Sequence, residues 1–305
     1  MVATDPAEAA LLSCEALYLA RPDGGRRAPG FALRGLTLSV PTGAFVPLLG
    51  PAGAGKTALL RVLAGLAQPL AGRVTVAGLR LAEASSSDLR ELRRGVVGLV
   101  PQSRATGLVP ELDVANIALP LSLAGVGGAR ARRCVQALRD LLGLGDLAHV
   151  PAQQLPPAAL VRLAIATALA HQPALLLLDE PGAGLTEQER DDLLELLRRV
   201  HEELRLTVLL ATRDAALAHR LGGVVRVRDG RAQTELVRQV AFSRGEGERT
   251  EELALLDDEG RVAIPAAQRE ALGIGRRARV TLEGDHIGVW PERPPPETGP
   301  PWRRR

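Results

Sequence analysis

Gly50-Pro51-Ala52-Gly53-Ala54-Gly55-Lys56-Thr57 matches the pattern G-x-x-x-x-G-K-[ST]. Such a loop turns successive backbone N–H groups, and the start of the helix it feeds, towards an anion. The Lys56 ammonium would reach the outer phosphates of a nucleotide, and the Thr57 hydroxyl would ligate Mg²⁺. Lys56 is the only lysine in the chain, although lysine and arginine together number 38. A composition so averse to lysine would replace it wherever a planar guanidinium served as well as a compact ammonium. The candidate nucleotide-binding residues are therefore Gly50, Pro51, Ala52, Gly53, Ala54, Gly55, Lys56, Thr57 and Ala58. A second constellation, Leu175-Leu176-Leu177-Leu178-Asp179-Glu180-Pro181, ends an apolar run in two carboxylates. It would deliver Asp179 to the metal and leave Glu180 to polarise an attacking water. ATP with Mg²⁺ is the implied ligand.

These residues need a scaffold. The apolar run Ala44–Leu49 ends at the glycine loop, and Ala58–Ala64 continues with helical character. Strand, loop and helix in that order are the context the motif requires. Val96–Val100, Ala174–Leu178, Leu206–Ala211 and Gly223–Val227 read as further strands, with helices such as Gln188 to Leu204 between them. The alternation predicts an α/β fold with a largely parallel sheet.

Composition sets the outer bounds. A chain of 305 residues suggests one large domain and a smaller one. Aromatic residues make up 2%, so the core must be built of Leu, Val and Ala. The net charge of +3 does not by itself imply a nucleic-acid partner. Cys14 and Cys134 fit no metal or redox spacing and read as reduced core thiols of a cytosolic protein. No segment has the order of a secretory signal, and no apolar run approaches the roughly 18–20 residues needed to cross a bilayer.

With these motifs in place, residues 10–238 resemble the ATP-binding subunit of an ABC transporter, of the lipoprotein-export and macrolide-export type. Leu36–Gly43 before the loop, and Leu63-Ala64-Gly65-Leu66 and Gly72-Arg73-Val74 after it, carry that likeness. Val100-Pro101-Gln102-Ser103 corresponds to the family's Q-loop, in which Gln102 would touch Mg²⁺ or water and sense the permease. Pro110–Pro120 fits the helical segment that docks on the membrane partner. The resemblance implies a P-loop NTPase domain of ABC type, a membrane permease, and a homodimer or a heterodimer with a second ATP-binding subunit. It also implies a cytoplasmic location, peripheral on the inner face of the plasma membrane.

Three family motifs are altered. The signature that reads the γ-phosphate of the opposite subunit falls on Leu155-Pro156-Pro157-Ala158-Ala159. Pro156 brings no hydroxyl, and neither proline brings an N–H. Prolines are tolerated at a helix start, so the helix is expected to form. Arg213, in Leu209–Asp214, occupies the position of the switch histidine, and Thr186 stands where the family has aspartate. Upstream, Arg21 is nearest in register to the adenine-stacking aromatic, with Tyr18 three residues earlier. Glu180, Gln102 and Arg213 are the candidate catalytic residues, and Thr57, Gln102 and Asp179 the candidate metal ligands. The expectation is an ATPase that binds well and hydrolyses weakly.

Residues 241–250 read as a linker by composition, and residues 292–305 as a disordered Pro/Arg tail. Between them, residues 251–291 read as a small, mainly β C-terminal domain. Leu256–Pro265, Arg269–Ile274 and Arg277–Ile287 are similar to the AbrB/MazE swapped-hairpin family. Residues 250–290 carry five Arg against eight Asp and Glu, a net of −3. Binding DNA requires phosphate neutralisation, so dimerisation or regulation is favoured over nucleic acid. The alternative reading of the whole chain is a soluble ATP-binding dimeric switch or transcriptional regulator that uses this domain.

Overall fold

The computed structural model describes residues 10–21, 30–103, 107–221, 223–239, 249–254, 271, 274, 278–283 and 286–291. The chain opens with two long strands, β1 (Ala10–Ala20) and β2 (Phe31–Pro41), followed by β3 (Phe45–Leu49) and helix α1 (Lys56–Leu63). Next come β4 (Ala71–Val76), β5 (Leu79–Arg80), α2 (Ser86–Glu91) and β6 (Val97–Val100). A helical section follows, with α3 (Ala118–Leu123), α4 (Gly128–Leu141) and α5 (Pro157–Leu169). The chain then returns through β7 (Leu175–Asp179), α6 (Glu187–Leu204), β8 (Thr207–Thr212), α7 (Ala215–Leu221), β9 (Val225–Arg228) and β10 (Arg231–Gln239). Three further strands are β11 (Arg249–Ala254), β12 (Ala278–Glu283) and β13 (His286–Pro291).

The main sheet has the order β11-β10-β9-β3-β8-β7-β6. Pairing is parallel from β9 through β6, as the sequence predicts. It is antiparallel across β9-β10-β11. β7 and β8 are buried at every residue, which explains their unbroken apolar runs. A second sheet, β2-β1-β4-β5, is wholly antiparallel, so the expectation of a largely parallel sheet holds only for the centre of the main one. One core packs α1 and the second sheet against one face of the main sheet. The other packs α5, α6 and the helical section against the opposite face.

β11 straddles the boundary expected at 250/251. It extends the main sheet, so Glu251–Ala254 do not begin a separate unit. Residues 240–248, 255–270 and 292–305 lie outside the described residues, and with them most of the expected linker, the Gly-Arg-Val-x-Ile-Pro stretch and the tail. β12 and β13 form an antiparallel pair, consistent with a β-rich C-terminal part.

Candidate functional site

Parallel strands leave their C-terminal ends on one edge of the sheet, where α/β folds gather ligands. Here β8 acts as a ledge between two loops. Leu49 of β3 is in register with Thr212, and Asp179 of β7 with Ala211. Beyond those residues, Gly50 donates to the Thr212 carbonyl at 3.2 Å and Glu180 donates to the Ala211 carbonyl at 2.9 Å. The glycine loop and the paired carboxylates are thus pinned to the same strand end.

The loop's glycines are dictated by space and backbone. A Cβ on Gly50 would lie 2.2 Å from the Val227 carbonyl oxygen, closer than any side chain allows. Gly55 has φ 105°, and a Cβ there would meet the Ala32 carbonyl at 2.6 Å. Gly55 is the N-cap of α1, and no side chain occupies the N–H groups of the first turn. Those donors are the anion cradle. The Ala54 carbonyl accepts from Gly230 at 2.9 Å, tying the loop to the β9–β10 turn as well.

Lys56 is 5% exposed. Its Nζ donates to the carbonyls of Gly50 at 2.6 Å and Pro51 at 3.1 Å and stands 3.3 Å from Glu180 Oε1. Asp179 is 3% exposed and is bonded to the Thr57 hydroxyl. Burial pushes its carboxyl above the ordinary value, and Glu180 adds to this, while the Thr57 hydroxyl and the Lys56 charge pull the other way. Its Oδ1 is buried without a hydrogen-bond partner among the described residues. An orphaned carboxylate oxygen beside a hydroxyl fits the oxygen donors a Mg²⁺ ion takes. Thr57 and Asp179 are the residues that would hold it.

Glu180 is 8% exposed and has φ 50°, an uncommon left-handed conformation for a side-chain-bearing residue. Arg213 meets it twice, with Nε 3.3 Å from Oε1 and the backbone N–H donating to Oε2 at 3.1 Å. The structure thus brings together Lys56, Thr57, Asp179, Glu180 and Arg213. It does not bring Gln102 to them. That side chain is exposed beyond β6 and bonds neither Thr57 nor Asp179. Upstream, Arg21 Nη2 reaches 3.5 Å from the Gly53 carbonyl, whereas Tyr18 packs edge-on against Phe31.

The other altered motifs have local explanations. α5 forms with Pro156 as an extended N-cap and Pro157 at its first position, as expected from their tolerance there. No side chain caps it, and no hydrogen bond or ion pair links residues 155–159 to residues 50–58 or 179–180 among the described residues. Thr186 is the N-cap of α6 and forms a capping box with Glu189. Threonine can stand in for aspartate in that role. The signal, Thr-x-x-Glu before a helical run, was present in the sequence.

A glycine loop at a helix start, beside a strand ending in paired carboxylates and a flanking antiparallel sheet, defines a nucleotide-binding cassette. Comparison with known proteins agrees. Residues 33–183 match the ABC transporter family. The methionine import ATP-binding protein MetN of Thermobifida fusca is 39% identical over 217 residues, covering 71% of this chain and 67% of that protein. The lipoprotein-releasing system ATP-binding protein LolD of Xanthomonas axonopodis pv. citri is 34% identical over 232 residues, covering 76% of this chain and 93% of that protein. A dimeric post-hydrolysis structure of the ATP-binding cassette MJ0796 bound to ADP and Pi superposes with a TM-score of 0.66 at 27% identity, covering 73% of this chain and 97% of that one. The chain belongs to the ATP-binding subunits of ABC transporters. Its likeness extends to an import protein as well as to the export type.

Proposed function

We propose that this chain binds MgATP through Gly50–Ala58 and Asp179 and hydrolyses it weakly, to drive or regulate a membrane permease. One observation carries the reading. The chain's single lysine is buried at a helix start against Glu180, beside an Asp179 with an unpartnered buried oxygen. Phosphates in the loop would draw Lys56 from the Gly50 and Pro51 carbonyls and fill the first-turn N–H groups. The bound metal supplies charge neutralisation at the phosphates. Glu180 would orient a water whose oxygen bonds to the terminal phosphorus. The bridging P–O bond then breaks, its electron pair leaves on ADP, and Glu180 accepts the water's proton.

Weak turnover follows from what α5 lacks. In MJ0796 the solved cassette is dimeric. By analogy, residues 155–159 would face the nucleotide of a second subunit, homologous or not. Pro156 and Pro157 would offer it no hydroxyl and no N–H. The permease contact is supported by an apolar groove of about 290 Å³ lined by Leu66, Leu99, Pro101, Leu108, Pro120 and Leu123. Leu66 and Leu123 are among the most exposed large apolar residues. No helix among the described residues is long and apolar enough to cross a membrane. That is consistent with a peripheral place on the cytoplasmic face. The named relatives differ in cargo and direction, which assigns the cargo to the permease. For residues 251–291 we favour dimerisation or regulation.

The test is ATP binding and turnover by the purified chain, with and without its membrane partner. Measurable affinity with slow turnover is expected. Turnover at ordinary transporter rates by the isolated chain would sink the weak-hydrolysis reading.

A further inference from the structure

Glu180 is held by two cations of unequal commitment. Lys56 Nζ stands 3.3 Å from Oε1 but is also bonded to the Gly50 and Pro51 carbonyls, and phosphates would draw it away. Arg213 has no such alternative. Its Nε is 3.3 Å from Oε1, and its backbone N–H donates to Oε2. The main chain on either side is fixed. Thr212 is buried at the end of β8, and its hydroxyl accepts from the Asp214 N–H at 3.0 Å. Asp214 Oδ1 accepts from the Leu217 N–H at 3.1 Å as α7 begins, and its Oδ2 lies 3.6 Å from Arg190. The backbone root of the guanidinium is therefore set by β8 and α7. Glu180 in turn is set by its own N–H bond to Ala211 and its left-handed backbone.

We propose that Arg213 is a positioning residue that brakes hydrolysis by retaining Glu180 in an ion pair after Lys56 has moved to the phosphates. This deepens, and rests on, the reading that Lys56 and Asp179 bind MgATP and that Glu180 orients the water. A charge-assisted bond is roughly twice as strong as a neutral one, so a guanidinium outcompetes water for the carboxylate oxygen it occupies. The Arg213 side chain is 51% exposed, so solvent screens the pair and bounds the effect. The brake retards turnover without touching nucleotide affinity.

The test uses the full chain with Arg213→Ala, Arg213→Gln and Arg213→Lys, each in the native background and with Pro156→Ser/Pro157→Gly. Every variant keeps the backbone N–H on Glu180 Oε2. MgATP turnover, ATP affinity and nucleotide-free melting are measured, the last as a double-mutant cycle of Arg213→Ala with Glu180→Gln. Removing the guanidinium should raise kcat on the order of tenfold in at least one background, with KM and Kd within about twofold. Arg213→Lys should restore the low rate, and melting should show coupling between positions 180 and 213. Unchanged or lower kcat in both backgrounds overturns the brake, as does weakened ATP binding, which would place Arg213 on the phosphates. Additive melting effects overturn the ion pair. If Lys56→Ala binds ATP as the native chain does, the nucleotide reading fails and the brake with it. The nucleotide-free cycle still decides whether the ion pair exists.

Discussion

Two helix starts in this molecule meet the same structural demand in opposite ways. α1 begins after Gly55 and α5 after Pro156, and neither has a side-chain cap. At α1 the left-handed glycine leaves the first-turn donors facing outward, with an ammonium and two carboxylates alongside. At α5 two consecutive prolines remove donors at the position from which the family reads a phosphate. Both helices fold and both are packed into the core. A helix start can therefore lose its capacity for anions without any cost visible in the fold. Folding needs only the dihedral angles, whereas phosphate binding needs the N–H groups themselves.

Substitutions can break or sharpen this contrast. Lys56→Ala should have the largest effect. Truncating one partner of a buried, hydrogen-bonded charge pair costs about 2–5 kcal/mol, or roughly 30- to 1,000-fold in ATP affinity. Calorimetric titration would read it, and unchanged affinity would remove the α1 half of the comparison. Pro156→Ser/Pro157→Gly should restore donors at α5 and raise turnover about 10- to 100-fold, with no change in the chain's own ATP affinity. An assay with dimer-promoting concentrations of protein checks this, and unaltered turnover would mean that the prolines are not the limiting loss.

Asp179→Asn tests what the cradle costs the empty protein. The Asp179 carboxyl lies above its ordinary value of 3.8, chiefly through burial. Its ionised form therefore opposes folding. The stability present below 3.8 is lost as pH rises through the raised value. The variant should remove that acid-range component and raise the nucleotide-free melting temperature on the order of 3 °C, as about 1 kcal/mol does in a chain of this size. It should at the same time weaken Mg²⁺-dependent nucleotide binding. Melting curves across the acid range would show both the slope and its loss. The smallest effect concerns Cys14, whose thiol is pushed up to about 12 by burial. At pH 8 its thiolate is on the order of one part in ten thousand. Thiol reagents should label the half-buried Cys134 first and Cys14 only on unfolding. Early labelling of Cys14 would show that the β1–β2 side of the α1 core opens in the native state.

The central strands were legible because they are buried on both faces and carry nothing but apolar residues up to a polar end, as in Leu175–Asp179. Their observed limits differ from the sequence reading by a residue or two. β1 was not legible, since register shifts and a left-handed Ala16 interrupt its alternation. The glycine loop and the Asp179-Glu180 pair could be read because each is a contiguous motif. The Arg213–Glu180 ion pair could not, because 33 residues separate its partners and only the β7–β8 register joins them. Gln102 shows the converse, a contiguous motif whose side chain the fold leaves away from Thr57 and Asp179.

The solitary lysine has a consequence beyond phosphate. It gives this protein one side-chain amine, 5% exposed, behind the loop it serves. Acylating reagents and enzymes that tag lysines therefore find no other ε-amine to modify. The extent of acylation at a single tryptic peptide becomes a label-free gauge of whether the loop is open or filled, built into the natural sequence.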